Sequence, residues 1–139
     1  MSLYILDTDT LTLFNRNHTQ VCQQIVAHST DDIVTTVITV EEQLSGWYTF
    51  LRKAKQPARI AQAYRELAAT VNFLGKWTLL EFTELTIARY LQLRSLRLKT
   101  GKSDLKIAAI AREHGAIVVT RNVRDFQCVP GLMVENWAI

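Results

Sequence analysis

The stretch that decides the fold is LYILDTDT, which occupies residues 3–10. Its first four residues form a continuous apolar run, which predicts a short strand covered on both faces. Asp7 follows that strand directly. Since ligands of parallel α/β sheets bind beyond the carboxyl ends of the strands, this stretch predicts a buried strand and, at its end, the position of a functional site.

Apolar runs and helical patterns alternate along the rest of the chain. The apolar runs cover residues 33–38, 77–82, 116–119 and 132–134. The helical patterns cover residues 10–28, 39–51, 57–75, 83–93 and 103–114. This alternation predicts an α/β fold in which about five parallel strands form a central sheet between two layers of helices. A length of 139 residues is typical of one domain, so we expect residues 1–139 to form a single domain.

Local patterns predict where two of these helices begin and what one of them packs against. Thr39 and Glu42 have the T-x-x-E spacing of a capping box, which predicts Thr39 as an N-cap. Ser103 is predicted to cap the helix that follows it. The second helical pattern carries an aromatic and apolar stripe, and such a stripe more often packs into a core than forms an interface. The stripe consists of Leu44, Trp47, Tyr48 and Leu51.

The composition is that of an ordinary globular protein. Hydrophobic residues make up 48% of the chain and charged residues 21%. No apolar run approaches the ~20 residues that a membrane span requires, and no basic region precedes the first apolar run. The two cysteines lack C-x-x-C spacing, and the three histidines share no motif. We therefore expect a cytoplasmic protein with reduced thiols, no zinc site and no membrane partner.

Charge is unevenly distributed along the chain. The net charge is only +3, but residues 89–125 contain nine lysines and arginines against three acids. A basic half around a few acids suits a substrate that carries phosphate groups. The same distribution also fits an ordinary solvated helix surface, and the sequence leaves both interpretations open.

Several acids are predicted to meet at one edge of the sheet. Asp7 follows the first strand, and Glu42 lies just after the second. Asp104 opens a helix, while Asn122 and Asp125 follow the fourth strand. Converging carboxylates repel one another, and a hard cation relieves that repulsion. Carboxylate oxygens without thiol or imidazole ligands favour Mg²⁺ or Mn²⁺, either of which can activate water for phosphodiester hydrolysis.

Each of three acids also has a structural interpretation. Asp7 could cap the helix that follows it, and Glu42 could serve only in the capping box with Thr39. Asp104 could be a favourable charge in the first turn of its helix. The residue types alone do not decide between these roles and metal binding.

Four sequence blocks resemble the signatures of the PIN domain, most closely those of its bacterial VapC-like branch. The blocks are YILDTDTL at 4–11, VITVEEQLSG at 37–46, GKSDLKIAAIA at 101–111 and VVTRNVRDF at 118–126. They occur in the order of the family and span nearly the whole chain. The resemblance implies a PIN-like fold and a Mg²⁺-dependent endoribonuclease, the toxin of a toxin–antitoxin pair. It also implies a homodimer and a small antitoxin partner, with contacts on the helix pair from Glu42 to Gly75.

The resemblance also implies roles for individual residues. Asp7, Glu42 and Asp104 match three metal-binding acids of the family. The fourth is expected to be Asp125, with Asn122 as a neutral ligand or water holder. Asp9 is expected to have a structural role, and Thr120 could orient a ligand or a water. Three basic residues beside the acids could hold RNA phosphates, unless they only form salt bridges to Asp104 or Asp125. They are Lys102, Arg121 and Arg124.

Two functions of other classes remain open. The residues DTDT at 7–10 also fit the start of haloacid-dehalogenase-type phosphatases, with Asp7 as nucleophile, Asp9 as acid/base and Thr39 as phosphate ligand. The second alternative is a PIN-like module that binds RNA or protein without cleaving. The neutral Asn122 is the observation that supports this alternative.

Overall fold

A computed structural model describes residues 2–139 and contains a five-stranded parallel sheet. The strands are β1 (Leu3–Leu6), β2 (Asp32–Thr36), β3 (Leu79–Leu80), β4 (Ile117–Val119) and β5 (Met133–Glu135). Their order in the sheet is β3-β2-β1-β4-β5, and all neighbours are parallel. The chain therefore builds outward from β1 to one edge and then crosses back to the other side of β1.

Seven helices connect and cover these strands. They are α1 (Thr8–Asn15), α2 (Thr19–Ala27), α3 (Val37–Lys53), α4 (Pro57–Leu74), α5 (Glu84–Ser95), α6 (Lys102–His114) and α7 (Val123–Gln127). None of the helices within residues 2–139 is both long enough and apolar enough to cross a membrane. The predicted α/β class with a central parallel sheet of about five strands is confirmed.

The two faces of the sheet carry two separate cores. Side chains alternate between the faces of a strand, so Tyr4 and Leu6 of β1 pack on one side and Ile5 on the other. The core around Ile5 includes the buried side of α6 and residues of α5. The core around Leu6 includes Leu11 of α1 and the end of α4. This arrangement is the predicted three-layer α/β/α packing.

The structure corrects both predicted helix starts. Thr36, not Thr39, is the N-cap of α3, and its hydroxyl accepts from the backbone N–H of Thr39 at 3.4 Å. The sheet ends β2 at Thr36, so the helix begins one turn earlier than the capping-box pattern predicts. Likewise α6 begins at Lys102 with Gly101 as its N-cap, and Ser103 lies inside the helix.

Two predicted elements have different bounds in the structure. The helical pattern over 10–28 is broken into α1 and α2, because Asn17 adopts a left-handed conformation with φ of 60°. The apolar run over 77–82 forms only the two-residue strand β3. Pro57 at the start of α4, Thr83 as the N-cap of α5 and Gly115 at the end of α6 are confirmed.

The stripe on α3, predicted to pack into a core, is only partly buried in the structure. None of its four residues is buried, and Tyr48 is 47% exposed. The buried residues of α3 are Ile38 and Thr39, next to the sheet. Leu44, Trp47 and Leu51 are half-buried, so the stripe lies outside the fully buried core of the domain, with Tyr48 at the surface.

Two glycines test the helix geometry with effects of opposite sign. Gly115 caps α6 with φ of +61°, where an alanine Cβ is strained, so Gly115→Ala should lower the free energy of unfolding by about 1 kcal/mol. Gly46 lies inside α3, and a Cβ at this position would meet nothing within 4 Å. Gly46→Ala should therefore raise the free energy of unfolding by about 0.5–1 kcal/mol. Urea unfolding of both variants checks the signs, and equal effects would contradict this assignment of helix bounds.

Candidate active site

Asp7 occupies the point where the strand order reverses, at the carboxyl end of β1. Its backbone N–H donates to the carbonyl of Val119 in β4, and its side chain is only 4% exposed. Asp7 Oδ1 caps α1 by accepting from the N–H of Thr10 at 2.8 Å. Burial raises the pKa of Asp7, although hydrogen bonds from Thr120 and Thr10 act in the opposite direction. The capping role predicted as an alternative is therefore real, and the buried carboxylate carries an electrostatic cost beside it.

Glu42 is held by the hydroxyl of Thr8, which is itself in contact with Thr39. It lies on the second turn of α3, and its Oε1 accepts from the hydroxyl of Thr8 at 2.6 Å. The hydroxyl of Thr8 is also 3.0 Å from that of Thr39. Because α3 begins at Val37, the capping-box role predicted for Glu42 is wrong. The carboxylate of Glu42 is instead positioned by the threonine that follows Asp7.

Asp104 and Asp125 are joined through Asn122. The amide nitrogen of Asn122 lies 3.2 Å from Asp104 Oδ2 and 3.0 Å from Asp125 Oδ2. Burial raises the pKa of Asp104, and the nearby charges of Glu42 and Asp125 raise it further, against the hydrogen bond from Asn122. These repulsions show that the acids of α3, α6 and α7 act on one another electrostatically.

A cleft of about 660 Å³ opens over these side chains. It is lined by Asp7, Thr8, Asp9, Thr12, Glu42, Asp104, Arg121 and Asn122. The structure thus brings together three of the predicted acids from three separate elements. Asp125 does not line the cleft and reaches it only through Asn122, while Lys102 and Arg124 are exposed outside its lining.

Arg121 is held at the edge of the cleft by Asp9. Its Nε and one terminal nitrogen donate to the two carboxylate oxygens of Asp9, at 2.6 and 2.9 Å. Both side chains are about half exposed. The partner of Arg121 is therefore neither Asp104 nor Asp125, the two partners that the sequence suggested. A bidentate pair fixes the orientation of the guanidinium, which still has N–H groups free for a ligand.

The sequence did not indicate two threonines of the cleft, nor that Asp9, which was expected to have a structural role, pairs with Arg121. Thr8 and Thr12 carry no signal beyond their place near Asp7, and Asp9 and Arg121 are 112 residues apart. As the side chains stand, residues 2–139 contain no group of three or more His, Cys, Asp or Glu that converges to hold a metal ion. The donor chemistry nevertheless suits a hard cation, because three carboxylates line the cleft, and the pKa of Asp104 is raised first by burial and then by the charges of Glu42 and Asp125.

Comparison with known proteins places this geometry in a family. The profile of the PIN domain matches residues 4–132, which is nearly the whole chain. The chain belongs to the PIN domain family. The resemblance carried by the four sequence blocks is thereby confirmed.

Individual relatives of this PIN domain are bacterial proteins. Ribonuclease VapC2 of Haemophilus influenzae is 35% identical over 77 residues, a match that covers 52% of this chain and spans 58% of that relative. The tRNA(fMet)-specific endonuclease VapC of Salmonella typhimurium is 26% identical over 141 residues, with 99% of both chains covered.

Solved structures agree with the fold along the whole length. The DNA-bound VapBC structure from Salmonella typhimurium has a TM-score of 0.77 at 25% identity and covers 99% of both chains. VapBC2 from Rickettsia felis, bound to a DNA fragment from its promoter, has a TM-score of 0.74 at 25% identity and covers 97% of this chain and 98% of its own.

Replacement of Asp7 by asparagine should stabilise the metal-free protein at neutral pH. The raised pKa means that the folded chain holds the Asp7 proton more tightly than the unfolded chain does. The free energy of unfolding therefore rises as pH falls through the raised pKa of the folded chain. This gain in stability is complete below the pKa of the unfolded chain, which is about 4. Asp7→Asn keeps the cap without the charge, so its melting temperature in EDTA should exceed that of the wild type by a few degrees at pH 7.5.

Thermal melts in EDTA between pH 4.5 and 8 measure this difference, which should shrink toward low pH. The exposed Asp32→Asn serves as the matched control and should show no such pH-dependent gain. A lower melting temperature for Asp7→Asn at neutral pH would mean that the charged cap outweighs the cost of burial.

Proposed function

We propose that this protein is a metal-dependent endoribonuclease and the toxin of a toxin–antitoxin pair, with residues 1–139 acting as one domain. The observation that carries the proposal is that Asp7, Glu42 and Asp104, from three separate elements, line one cleft. Of the described residues that line this cleft, Arg121 is the one cation, and it lies at the edge in a pair with Asp9. An anionic floor with a cationic edge suits a phosphodiester that approaches a bound cation.

Asp7, Glu42 and Asp104 would hold Mg²⁺ or Mn²⁺, with Asp125 and Asn122 completing the site. A bound ion of this kind activates water and stabilises the charge that develops on a phosphodiester. The chain contributes the fixed positions of the acids: Asp7 is set by β1, and Glu42 is set by Thr8. Asn122 would keep Asp104 and Asp125 together by donating to both.

Basic side chains would hold the RNA backbone. Arg121 is the one that the cleft geometry favours, because Asp9 orients its guanidinium beside the acids. Lys102 and Arg124 are exposed near the acids in sequence and would contact phosphates farther along the strand. Such contacts position the RNA without reading its sequence, so the choice of RNA target must come from other contacts.

The partners follow from the relatives rather than from the cleft. The structural relatives are VapBC complexes, which supports a small antitoxin as partner of this chain. A homodimer through α3 and α4 fits the exposed apolar residues Tyr48, Tyr64 and Val71. Both cysteines are free, which suits the reducing cytoplasm.

The two alternative functions have unequal support. Membership of the PIN domain family excludes the phosphatase, and the geometry agrees, because Asp9 is paired with Arg121 and Thr39 is buried against Thr8. The non-cleaving RNA- or protein-binding module retains one supporting observation, the neutral Asn122 between Asp104 and Asp125. Cleavage activity is therefore the decisive measurement.

RNA cleavage should require a divalent metal and the cleft acids. Purified protein is incubated with a pool of structured RNAs in Mg²⁺, in Mn²⁺ and in EDTA. We expect cutting in both metals and none in EDTA. Asp7→Asn and Asp104→Asn should lower the rate by at least about 100-fold, because each removes a proposed metal ligand.

Glu41→Gln is the matched control for these variants. Glu41 is the exposed neighbour of Glu42 and lies about 100° away around the helix, so its loss should leave the rate unchanged. Wild-type protein that binds RNA without cutting it in either metal would favour the binding module. If wild type and both acid variants cut RNA at equal rates, the carboxylates of Asp7 and Asp104 are not required for cleavage.

The Asp9–Arg121 pair should act on substrate binding more than on the chemical step. Asp9→Asn and Arg121→Gln should each raise KM for RNA by about 3–10-fold with a smaller change in kcat, because the first releases the oriented guanidinium and the second removes it. The double variant should add little, since the two residues act as one unit. Steady-state kinetics measures this. A collapse of kcat in Asp9→Asn, similar to that in Asp104→Asn, would instead make Asp9 part of the metal site.

A further inference from the structure

A second cavity opens beside the catalytic cleft and shares a wall with it. This groove, of about 430 Å³, lies between α1, α3 and α4. Thr8, Thr12 and Glu42 line both the groove and the cleft. The two spaces are therefore adjacent, so a strand whose phosphate lay in the cleft could place a neighbouring nucleotide in the groove.

The groove has an aromatic wall. Trp47 and Phe50 of α3 line it, with ring centroids 5.7 Å apart and planes at 70°, so the edge-to-face contact supports the indole. Gly46 lines the same space, and a Cβ at that position would meet nothing within 4 Å. The absence of a side chain at Gly46 leaves room beside the half-buried indole for a flat ring.

The floor of the groove presents an oriented amide. The hydroxyl of Thr12 donates to the carbonyl of Thr8, so its oxygen can only accept from Gln43. Gln43 must therefore offer its NH₂ group to Thr12 at 3.2 Å. This arrangement leaves the carbonyl oxygen and the second N–H of Gln43 free for the edge of a ligand in the groove.

The charges of the groove favour a neutral ring over a phosphate. Glu42 and Glu66 line it together with the single cation Arg16 among the described lining residues. A phosphate would meet a net negative wall there, whereas the cleft next to it carries Arg121 and the proposed cation. Nucleobases are neutral, stack on aromatic side chains and hydrogen-bond through their edges.

We propose that this groove is a nucleobase subsite, in which the base next to the scissile phosphate stacks on Trp47 and contacts Gln43. The proposal rests on the proposed ribonuclease function. It adds a site at which the enzyme would recognise a base of single-stranded RNA in addition to the phosphate backbone. A paired base is already stacked in its helix, so the subsite takes an unpaired nucleotide.

Binding of a short RNA, measured by tryptophan fluorescence, tests the subsite without relying on cleavage. The probes are a mixed-sequence single-stranded hexaribonucleotide and an abasic strand of the same length. Both are titrated into Asp104→Asn protein, which should not cut them. We expect the hexaribonucleotide to quench the fluorescence and to bind about 10-fold more tightly than the abasic strand, as expected for one stacked base.

Three variants in that background locate the effect. Gly46→Leu fills the groove without removing a native contact and should weaken binding of the hexaribonucleotide by about 10-fold. Ser45→Leu, the matched control, adds the same side chain at an exposed neighbouring position outside the lining of the groove and should bind as the parent does. Trp47→Phe should keep most of the affinity, because a phenyl ring can still stack on a base. It should lose the quenching, because the remaining tryptophans, Trp77 and Trp137, are not among the residues that line the groove.

Equal affinity for both probes, or full affinity in Gly46→Leu, would overturn the subsite and leave the groove to a protein segment. Either result is independent of whether wild-type protein cuts RNA. Failure of the ribonuclease proposal appears instead as wild-type protein that never cleaves in Mg²⁺ or Mn²⁺. If cleavage is present, Gly46→Leu should also raise KM about 10-fold with kcat retained.

Discussion

The site depends on the enclosure of β1 between β2 and β4. Tyr4 lies opposite Ile33 on one side and Ile117 on the other, and successive residues of β1 fill the two cores in turn. A shift of one residue would turn every side chain of the strand to the wrong face. The strand therefore ends at a fixed point, and the backbone bond from Asp7 to Val119 ties the following acid to β4.

This enclosure has an electrostatic consequence. Asp7 is buried and forms no salt bridge within residues 2–139, and Arg121, the one cation among the described residues that line the cleft, is held by Asp9 instead. The charge of Asp104 is opposed by those of Glu42 and Asp125. A protein selected only for stability would pair or remove such charges, so an unneutralised set of acids is typical of a functional site. The same repulsion is what a bound cation would relieve.

The sequence predicted what local patterns and strand ends determine. Short apolar runs identified β1, β2, β4 and β5, and their ends brought Asp7, Glu42 and Asp104 to one edge. The T-x-x-E pattern favours Thr39 as the cap of α3, but the cap is Thr36, because the sheet ends β2 at that residue. The pairing of Asp9 with Arg121 spans 112 residues and leaves no local signal. The apolar stripe on α3 likewise does not indicate whether its residues pack into the core or lie near the surface.

The corrected start of α3 changes what Glu42 can do. In a capping box, its carboxylate would turn back to the backbone of Thr39. With the helix starting at Val37, the buried hydroxyl of Thr39 faces Thr8 instead. Thr8 has one hydroxyl proton, and it goes to Glu42, so Thr39 must donate to Thr8. The hydrogen bonds therefore run in one direction, from Thr39 to Thr8 and from Thr8 to Glu42, and they fix the position of the Glu42 carboxylate in the wall of the cleft.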